Sequence, residues 1–234
     1  MAANSLGLPD DIPTRSLNAL RQSDLLIFEE DRQARQSLKA AGIHRDYYKF
    51  TEHLEEATLH ALRLCLQNGG TACYMSDQGM PVVADPGQQL LKIAYELHAS
   101  LEIIPGPSSI TAALAACPFL QAGFRFLGFL PRDPQERMLE LERLKVEKQV
   151  LVVLDTPYRR QPLLQAAAQA FGDQRQALLA LDISGPQEAY HLGSLSKLAD
   201  LKLEKLNFVL IIEGFQPTKA KKTKKKSSTA LKKR

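Results

Sequence analysis

The sequence predicts an α/β fold in two domains with a ligand cleft between them, on three observations. Short apolar, β-rich runs alternate with stretches of helical period; that rhythm breaks once, between residues 117 and 135; and 234 residues are comfortable for two domains. In chain order the strands are Leu25 to Phe28, Ala72 to Met75, Leu101 to Ile104, Val150 to Leu154, Ala177 to Leu181 and Phe208 to Ile212. The runs are continuous rather than alternating, which predicts parallel strands covered on both faces. Helices fill the intervals and end at recognisable stops: Gly42 after Arg32 to Ala41, Gly69 and Gly70 after His53 to Asn68, Gly172 after Arg159 to Phe171. Pro118, Gly123, Gly128, Pro131 and Pro134 interrupt the pattern before a charged helix, Gln135 to Lys148. The expected division is therefore residues 1–116 and 117–216, each an α/β domain. A tail at 217–234 has almost nothing apolar to bury and is expected to be disordered.

Composition excludes several classes of protein. With 44% hydrophobic residues the chain reads as globular and soluble, and its apolar runs are far too short to span a membrane. The opening Met-Ala-Ala-Asn-Ser has no charged and then apolar leader, and Cys65, Cys73 and Cys117 are odd in number and widely spaced. A cytoplasmic location is the expectation. No Cys-x-x-Cys occurs, and the five histidines show no ligand spacing beyond His53 and His60 on one predicted helix, so no metal site is expected. Charge is unevenly spread. Residues 219–234 hold nine of the 30 Lys and Arg and no acid, leaving 21 bases against 26 acids and a body of about −5. Such a tail suits either solubility or a sequence-independent arm for nucleic-acid phosphates.

In open α/β sheets ligands lie beyond the carboxyl ends of the strands. Three loops there are unusually rich: Ser-Asp-Gln-Gly-Met-Pro-Val-Val-Ala-Asp-Pro-Gly at 76–87, Pro-Gly-Pro-Ser-Ser-Ile at 105–110 and Asp-Thr-Pro-Tyr-Arg at 155–159. None is a G-x-G-x-x-G or Walker loop, so a diphosphate-led ligand loses support. Asp77 beside Gly79 offers a carboxylate for an ammonium or for ribose hydroxyls, while Ser108 and Ser109 at a predicted helix start offer N–H groups for a carboxylate. An amino-acid-bearing nucleoside satisfies both. Taken singly, the first is also an ordinary turn and the second an ordinary capped helix, and Asp85-Pro86-Gly87 reads as a cap for the helix from Gln88.

The 76–87 segment resembles the S-D-A-G-x-P-x-x-x-D-P-G motif of the bacterial small-subunit ribosomal RNA ribose 2′-O-methyltransferases, within the tetrapyrrole methylase superfamily. Other pieces follow in order. Gly7, Asp11, Ile12 and Arg15 resemble G-N-L-x-D-I-x-x-R; Glu29, Glu30, Arg32 and Arg35 resemble E-D-T-R-x-x-R; residues 128–132 read G-F-L-P-R; and Thr156, Pro157 and Arg159 resemble S-P-H-R. The likeness covers nearly the whole chain to about residue 215. It implies the tetrapyrrole methylase type of two-domain fold, with S-adenosylmethionine in the cleft beside Gly7, Leu8, Asp77, Gly79, Met80, Ser108, Ser109 and Ile110. It also implies a homodimer. The chain departs from the family at 181–185, where R-E-L-T-K reads Leu-Asp-Ile-Ser-Gly, and at 50–55, where Y-H-E-H-N-E reads Phe-Thr-Glu-His-Leu-Glu. Met1 to Ser5 stand where the family has a full apolar strand and Thr-Pro.

Methyl transfer from a sulfonium needs alignment of nucleophile and methyl carbon and exclusion of water. For a ribose hydroxyl a nearby base helps, and Glu29, Glu30, Glu52 and His53 are the candidates, because they match polar motif positions. Arg32, Arg35, Arg132 and Arg159 are candidates for RNA phosphates, or else for pairing with Glu29, Glu30 and Asp155. The leading expectation is an S-adenosylmethionine-dependent RNA methyltransferase acting on ribosomal RNA. Methylation of a tetrapyrrole or another small molecule, and a non-catalytic RNA-binding protein of the same fold, are the alternatives.

Overall fold

The protein is described here by a computed structural model, which covers residues 1–51, 55–121 and 123–217. Among the described residues eight strands form two sheets. Strands β1 (Leu25–Phe28), β2 (Tyr48–Lys49) and β3 (Ala72–Met75) make a parallel sheet of order β2-β1-β3. Strands β4 (Phe124–Phe129), β5 (Val150–Asp155), β6 (Gln176–Leu181), β7 (Ala189–Ser194) and β8 (Phe208–Ile212) make a second sheet of order β4-β5-β8-β6-β7.

Helices clothe both sheets. In the first half they are α1 (Thr14–Gln22), α2 (Asp31–Ala41), α3 (Glu56–Gln67) and α4 (Gln88–Glu96). Strand residues alternate between faces: Leu26, Phe28, Cys73 and Met75 pack on α1 and α2, while Ile27 and Tyr74 pack on α3 and α4 through Leu62, Leu90 and Ile93. In the second half α6 (Pro134–Arg143), α7 (Arg160–Phe171) and α8 (Leu195–Ala199) cover one face of the larger sheet. Its other face is covered by α5 (Ser109–Ala115), whose Ile110, Ala113 and Leu114 pack on Val150, Val152, Leu178, Ala180, Val209 and Ile211. Helix α5 thus starts at a loop of the first sheet and packs on the second.

Two expectations are corrected. The second sheet is mixed: only β4 and β5 run parallel, and β8 is antiparallel to both of its neighbours, as is β7 to β6. The continuous apolar runs of β5, β6 and β8 report burial on both faces, which α5 on one side and α6 to α8 on the other supply whatever the strand direction. Second, Leu101 to Ile104 forms no full strand. It makes an isolated bridge at Ile104 to Ala2, which also bridges to Met75. Ala2 N–H donates to Tyr74 O at 2.9 Å, Ala3 N–H to Ile104 O at 3.2 Å and Ile104 N–H to Met1 O at 2.9 Å, so Met1 to Ala3 lies between β3 and residue 104. Ala2 and Ala3 are completely buried there, and side chains this small let three backbones approach closely.

Three strands have no counterpart in the expected set. Strand β2 is two exposed residues, β4 is an edge with a register shift between Phe126 and Gly128, and β7 is an edge with Tyr190 and Leu192 turned outward. Helix α6 starts one residue early, with Asp133 accepting from the N–H groups of Gln135 and Glu136 at 2.9 Å. It stops at Arg143, five residues short of the expected end, and Leu144 turns into the core, 4% exposed.

Candidate active site

The carboxyl ends of β1, β3, β4, β5 and β6 meet the amino end of β8 around a cleft of about 490 Å³, ample for a nucleoside-sized ligand. The first sheet contributes Glu29, Glu30, Ser76, Asp77, Gln78 and Asp85; the second contributes Phe129, Leu154, Asp155, Asp182, Ile183 and Asn207. Gln78 Oε1 accepts from Asn207 Nδ2 at 3.4 Å across the gap. A larger cavity of about 790 Å³ opens at the opposite ends of β1 and β3, beside Met1, Gly70 and Glu102, and holds none of the motif loops.

The 76–79 turn is fixed by the amino-terminal segment. Asn4, 2% exposed, donates its side-chain amide to Ser76 O at 3.0 Å and Asp77 O at 3.1 Å. Asn4 N–H bonds Gly79 O, Gly79 N–H bonds Ser5 O, and Gln78 Nε2 bonds Leu6 O at 2.8 Å. Gly79 has φ of +68°, and a Cβ there would sit 3.0 Å from Pro107 O and 3.1 Å from Leu6 Cδ2. Only glycine lets residue 6, the 76–79 turn and the 105–110 loop converge this closely. Gly7 itself lies against the second half, since a Cβ there would meet Ser184 O at 2.5 Å.

Six carboxylates line the cleft, from Glu29, Glu30, Asp77, Asp85, Asp155 and Asp182, and among the described residues no Lys, Arg or His does. Glu29 accepts from Tyr74 Oη at 2.7 Å and from Asp77 N–H at 3.1 Å. Burial chiefly, then the charges of Asp85 and Asp77, raise its pKa to about 7 against those hydrogen bonds. Burial, with repulsion from Glu30, raises Asp77 to about 6, although its Oδ1 accepts from Glu30 N–H at 3.2 Å. Asp85 is raised by burial. Asp155 is also raised by burial; its side chain is fully buried, with Oδ1 bonded to Thr156 N–H at 2.7 Å and 3.3 Å from the Arg159 guanidinium, while Oδ2 has no protein partner. A buried unpartnered oxygen and a wall of carboxylates of which Asp155 alone pairs with a base suit a cationic ligand that donates hydrogen bonds.

Of the residues singled out in the sequence, Glu29, Glu30, Asp77 and Ser109 line this cleft. Gly79, Met80, Ser108 and Ile110 are not part of its lining: Gly79 is the point of convergence and Ile110 packs in the core against the second sheet. Gly7 and Leu8 follow Leu6, which lines the cleft, but are not in its lining themselves: Gly7 lies against Ser184 and Leu8 is exposed. Arg32, Arg35 and Arg132 are solvent-exposed, the first two on α2 just after Glu30 and the third shortly after Phe129. Arg159 is engaged within the chain, donating to Leu130 O at 3.0 Å and Pro131 O at 2.7 Å besides pairing with Asp155. Glu52 and His53 lie outside the described residues, as does the tail from residue 218. Asp85, Asp155, Asp182 and Asn207 are additions of the structure. For Asp155 and Asp182 a signal was present: an acid follows the apolar runs ending at Phe28, Met75, Leu154 and Leu181 within two residues. Among the described residues no group of three or more His, Cys, Asp or Glu is arranged to hold a metal ion, and no helix is long and apolar enough to cross a membrane.

The fold is shared by solved structures of low sequence identity. The uroporphyrin-III-C-methyltransferase of Thermus thermophilus superposes with a TM-score of 0.62 at 18% identity, over 90% of this chain and 91% of that one. A structure described as a diphthine synthase of Entamoeba histolytica gives 0.65 at 12%, over 91% and 90%. Residues 5–199 match the profile of the Tetrapyrrole (Corrin/Porphyrin) Methylases, and the chain belongs to that family. Within it, the chain is 31% identical over 192 residues to the ribosomal RNA small subunit methyltransferase I of Thermotoga maritima, covering 82% of this chain and 86% of that protein. It is 33% identical over 200 residues to the protein of the same name from Mesorhizobium japonicum, covering 86% and 68%.

Proposed function

We propose that the protein transfers a methyl group from S-adenosylmethionine to RNA, with the ribose 2′-hydroxyl of small-subunit ribosomal RNA as the acceptor and the cytoplasm as the place of action. The observation that carries the reading is the likeness to ribosomal RNA small subunit methyltransferase I over most of both chains. The cleft is consistent with it, since a ligand bearing a sulfonium and an ammonium is what six carboxylates without a facing base would select. A polycarboxylate macrocycle would have to bring its own anions against that wall. An RNA strand need only present one ribose, with its phosphates left outside.

In this reading Asp77, held by Asn4 and Glu29, and Asp155, through its free Oδ2, face the donor, with Ser109, Leu6 and Phe129 as walls. Gly7, Leu8, Gly79, Met80, Ser108 and Ile110 shape the site from behind. The donor, when bound, supplies an electrophilic methyl carbon. Glu29 accepts the proton of the acceptor hydroxyl: a carboxylate with a pKa of about 7 is half ionised at neutral pH and basic enough to take it. Glu30 beside it keeps the cleft negative. The exposed Arg32, Arg35 and Arg132 take phosphates, and the basic run after residue 218 adds sequence-independent affinity. Arg159 serves by fixing the 130–132 loop from which Arg132 projects. A homodimer and the division at residue 116 complete the proposal.

Calorimetric titration with S-adenosylmethionine, with Asp77→Ala and with ATP as controls, tests the donor site. Transfer of labelled methyl to small ribosomal subunits lacking the modification tests the acceptor. Selective donor binding lost in D77A is expected; a folded wild type that binds no donor would overturn the reading.

A further inference from the structure

We propose that Tyr74 is a positioning residue of the donor site, its single hydroxyl joining Glu29 and Asp85 into one proton-sharing unit that holds both halves of the 76–87 loop and makes donor binding release a proton. The inference rests on the donor reading above.

The geometry is unusual. Tyr74 lies on β3 with its ring 3% exposed, and its Oη is 2.7 Å from Glu29 Oε1 and 3.3 Å from Asp85 Oδ1. A phenol carries one proton and so donates to one acceptor at a time. With both carboxylates ionised, one of them faces an oxygen lone pair. One added proton resolves the conflict: a protonated Glu29 donates to Tyr74 Oη, and Tyr74 donates to Asp85. The chain of hydrogen bonds then runs in one direction from Glu29 to Asp85, and in the ionised state it ends on Glu29 instead.

Each end of that chain holds part of the loop. Glu29 Oε2 accepts from Asp77 N–H at 3.1 Å. Asp85 accepts from Val82 N–H at 2.5 Å and Gly87 N–H at 2.8 Å. The stretch between is under strain, because Val82 and Ala84 have φ of +73° and +64°, a region that β-branched residues in particular avoid. Gly87 seats the ring itself, since a Cβ there would come within 2.5 Å of Tyr74 Cε1. The phenol therefore connects Asp77, which faces the donor, to the strained half of the loop that would otherwise relax.

On the cleft side the charged groups beside this unit are all acids: Glu30 before α2, Asp77 from the loop, and Asp155 and Asp182 at the ends of β5 and β6; on its other side Tyr74 borders the larger cavity, which Arg15, Glu102 and the Met1 amino group also line. Burial pushes Glu29, Tyr74 and Asp85 all upward, joined for Glu29 by the charges of Asp85 and Asp77 and for Tyr74 by the two carboxylates it bridges, which favours the protonated form of the unit while no cation is bound. A cationic donor reverses the preference and expels the proton. Donor affinity accordingly rises with pH through about 7, the value for Glu29.

Three variants separate this from a merely structural tyrosine. Donor affinity is measured by calorimetry from pH 5.5 to 9 in two buffers of different ionisation enthalpy, with S-adenosylmethionine as the probe. Tyr74→Phe removes a hydrogen bond that lowers the Glu29 pKa and moves the midpoint upward, weakening binding at pH 7 by about fivefold for a one-unit shift, as the ionised fraction of Glu29 falls from about a half to about a tenth. Asp85→Asn removes a charge that raises it and moves the midpoint downward. Glu29→Gln removes the transition near 7 and the proton release that accompanies it. Opposite shifts in Y74F and D85N are the signature; wild-type affinity and midpoint in both overturn the proposal even if Y74F folds poorly. A wild type that binds no donor at any pH rejects the functional reading instead.

Discussion

Glu29 is half-buried and carries a pKa of about 7 against an ordinary 4.5, so its folded form holds a proton more tightly than its unfolded form. The sign follows directly. The stability it contributes is complete below pH 4.5 and is lost as pH rises toward 7, where the buried group must ionise. Discounted for its remaining exposure, the loss is on the order of 1–2 kcal/mol. Urea denaturation at pH 5 and pH 8 should show this difference in the wild type and a smaller one in Glu29→Gln; an equal difference in both would mean that Glu29 ionises freely in the fold. Asn4 is the opposite kind of residue, neutral and nearly fully buried with both amide hydrogens used. Asn4→Ala leaves two buried carbonyls without a donor and should cost about 1–3 kcal/mol, measured as a lower urea midpoint together with weaker donor binding.

Among elements, the 76–79 turn is where the two kinds of constraint meet, since its backbone is held on one side by residues 4–6 and on the other by Glu29. Gly79→Ala forces a Cβ into Pro107 O and Leu6 at a left-handed φ, and should cost about 1–3 kcal/mol. Thermal unfolding and donor affinity should both report it, and an unchanged donor Kd would detach this turn from the site. Five elements were legible from their residues. Strands β1, β3 and β8 were found with the observed limits, and β5 and β6 to within a residue, because each is an apolar run buried on both faces. The direction of β5, β6 and β8 was not legible, since burial has no sense of direction. The short β2 and the edges β4 and β7 escaped because half-exposed strands lack an apolar run, and β7 carries its alternation on Tyr190 and Leu192, which point outward. In the site, Asp77 and Glu29 were legible through motifs. Asp155 and Asp182 were not, although they occupy the same position relative to their strands, because only assembly of the two sheets shows that they face Glu29.

At the scale of the molecule the charge is divided: a cleft lined by acids, exposed arginines on α2 and after β4, and a lysine-rich run after residue 218. Added salt should weaken binding of cationic S-adenosylmethionine far more than that of the neutral thioether product, and low salt should favour the donor by about tenfold, the equivalent of 1.4 kcal/mol. Calorimetry of both ligands at 20 and 500 mM salt checks this, with parallel salt dependence as the disproving result. Deleting residues 217–234 should instead lower RNA affinity and flatten its salt dependence without touching donor affinity, as read by filter binding. The setting of Met1 to Ala3 between β3 and Ile104 has a bearing on how the molecule is made. Residues 1–3 find one of their two neighbours only after about a hundred further residues have been made, so they must wait unpaired on that side during synthesis. Asn4 waits with them, and the turn that carries Asp77 cannot settle before they do. The cleft is therefore among the last features to form, and a nascent chain interrupted before Ile104 would have its motif loop in hand and no means of shaping it.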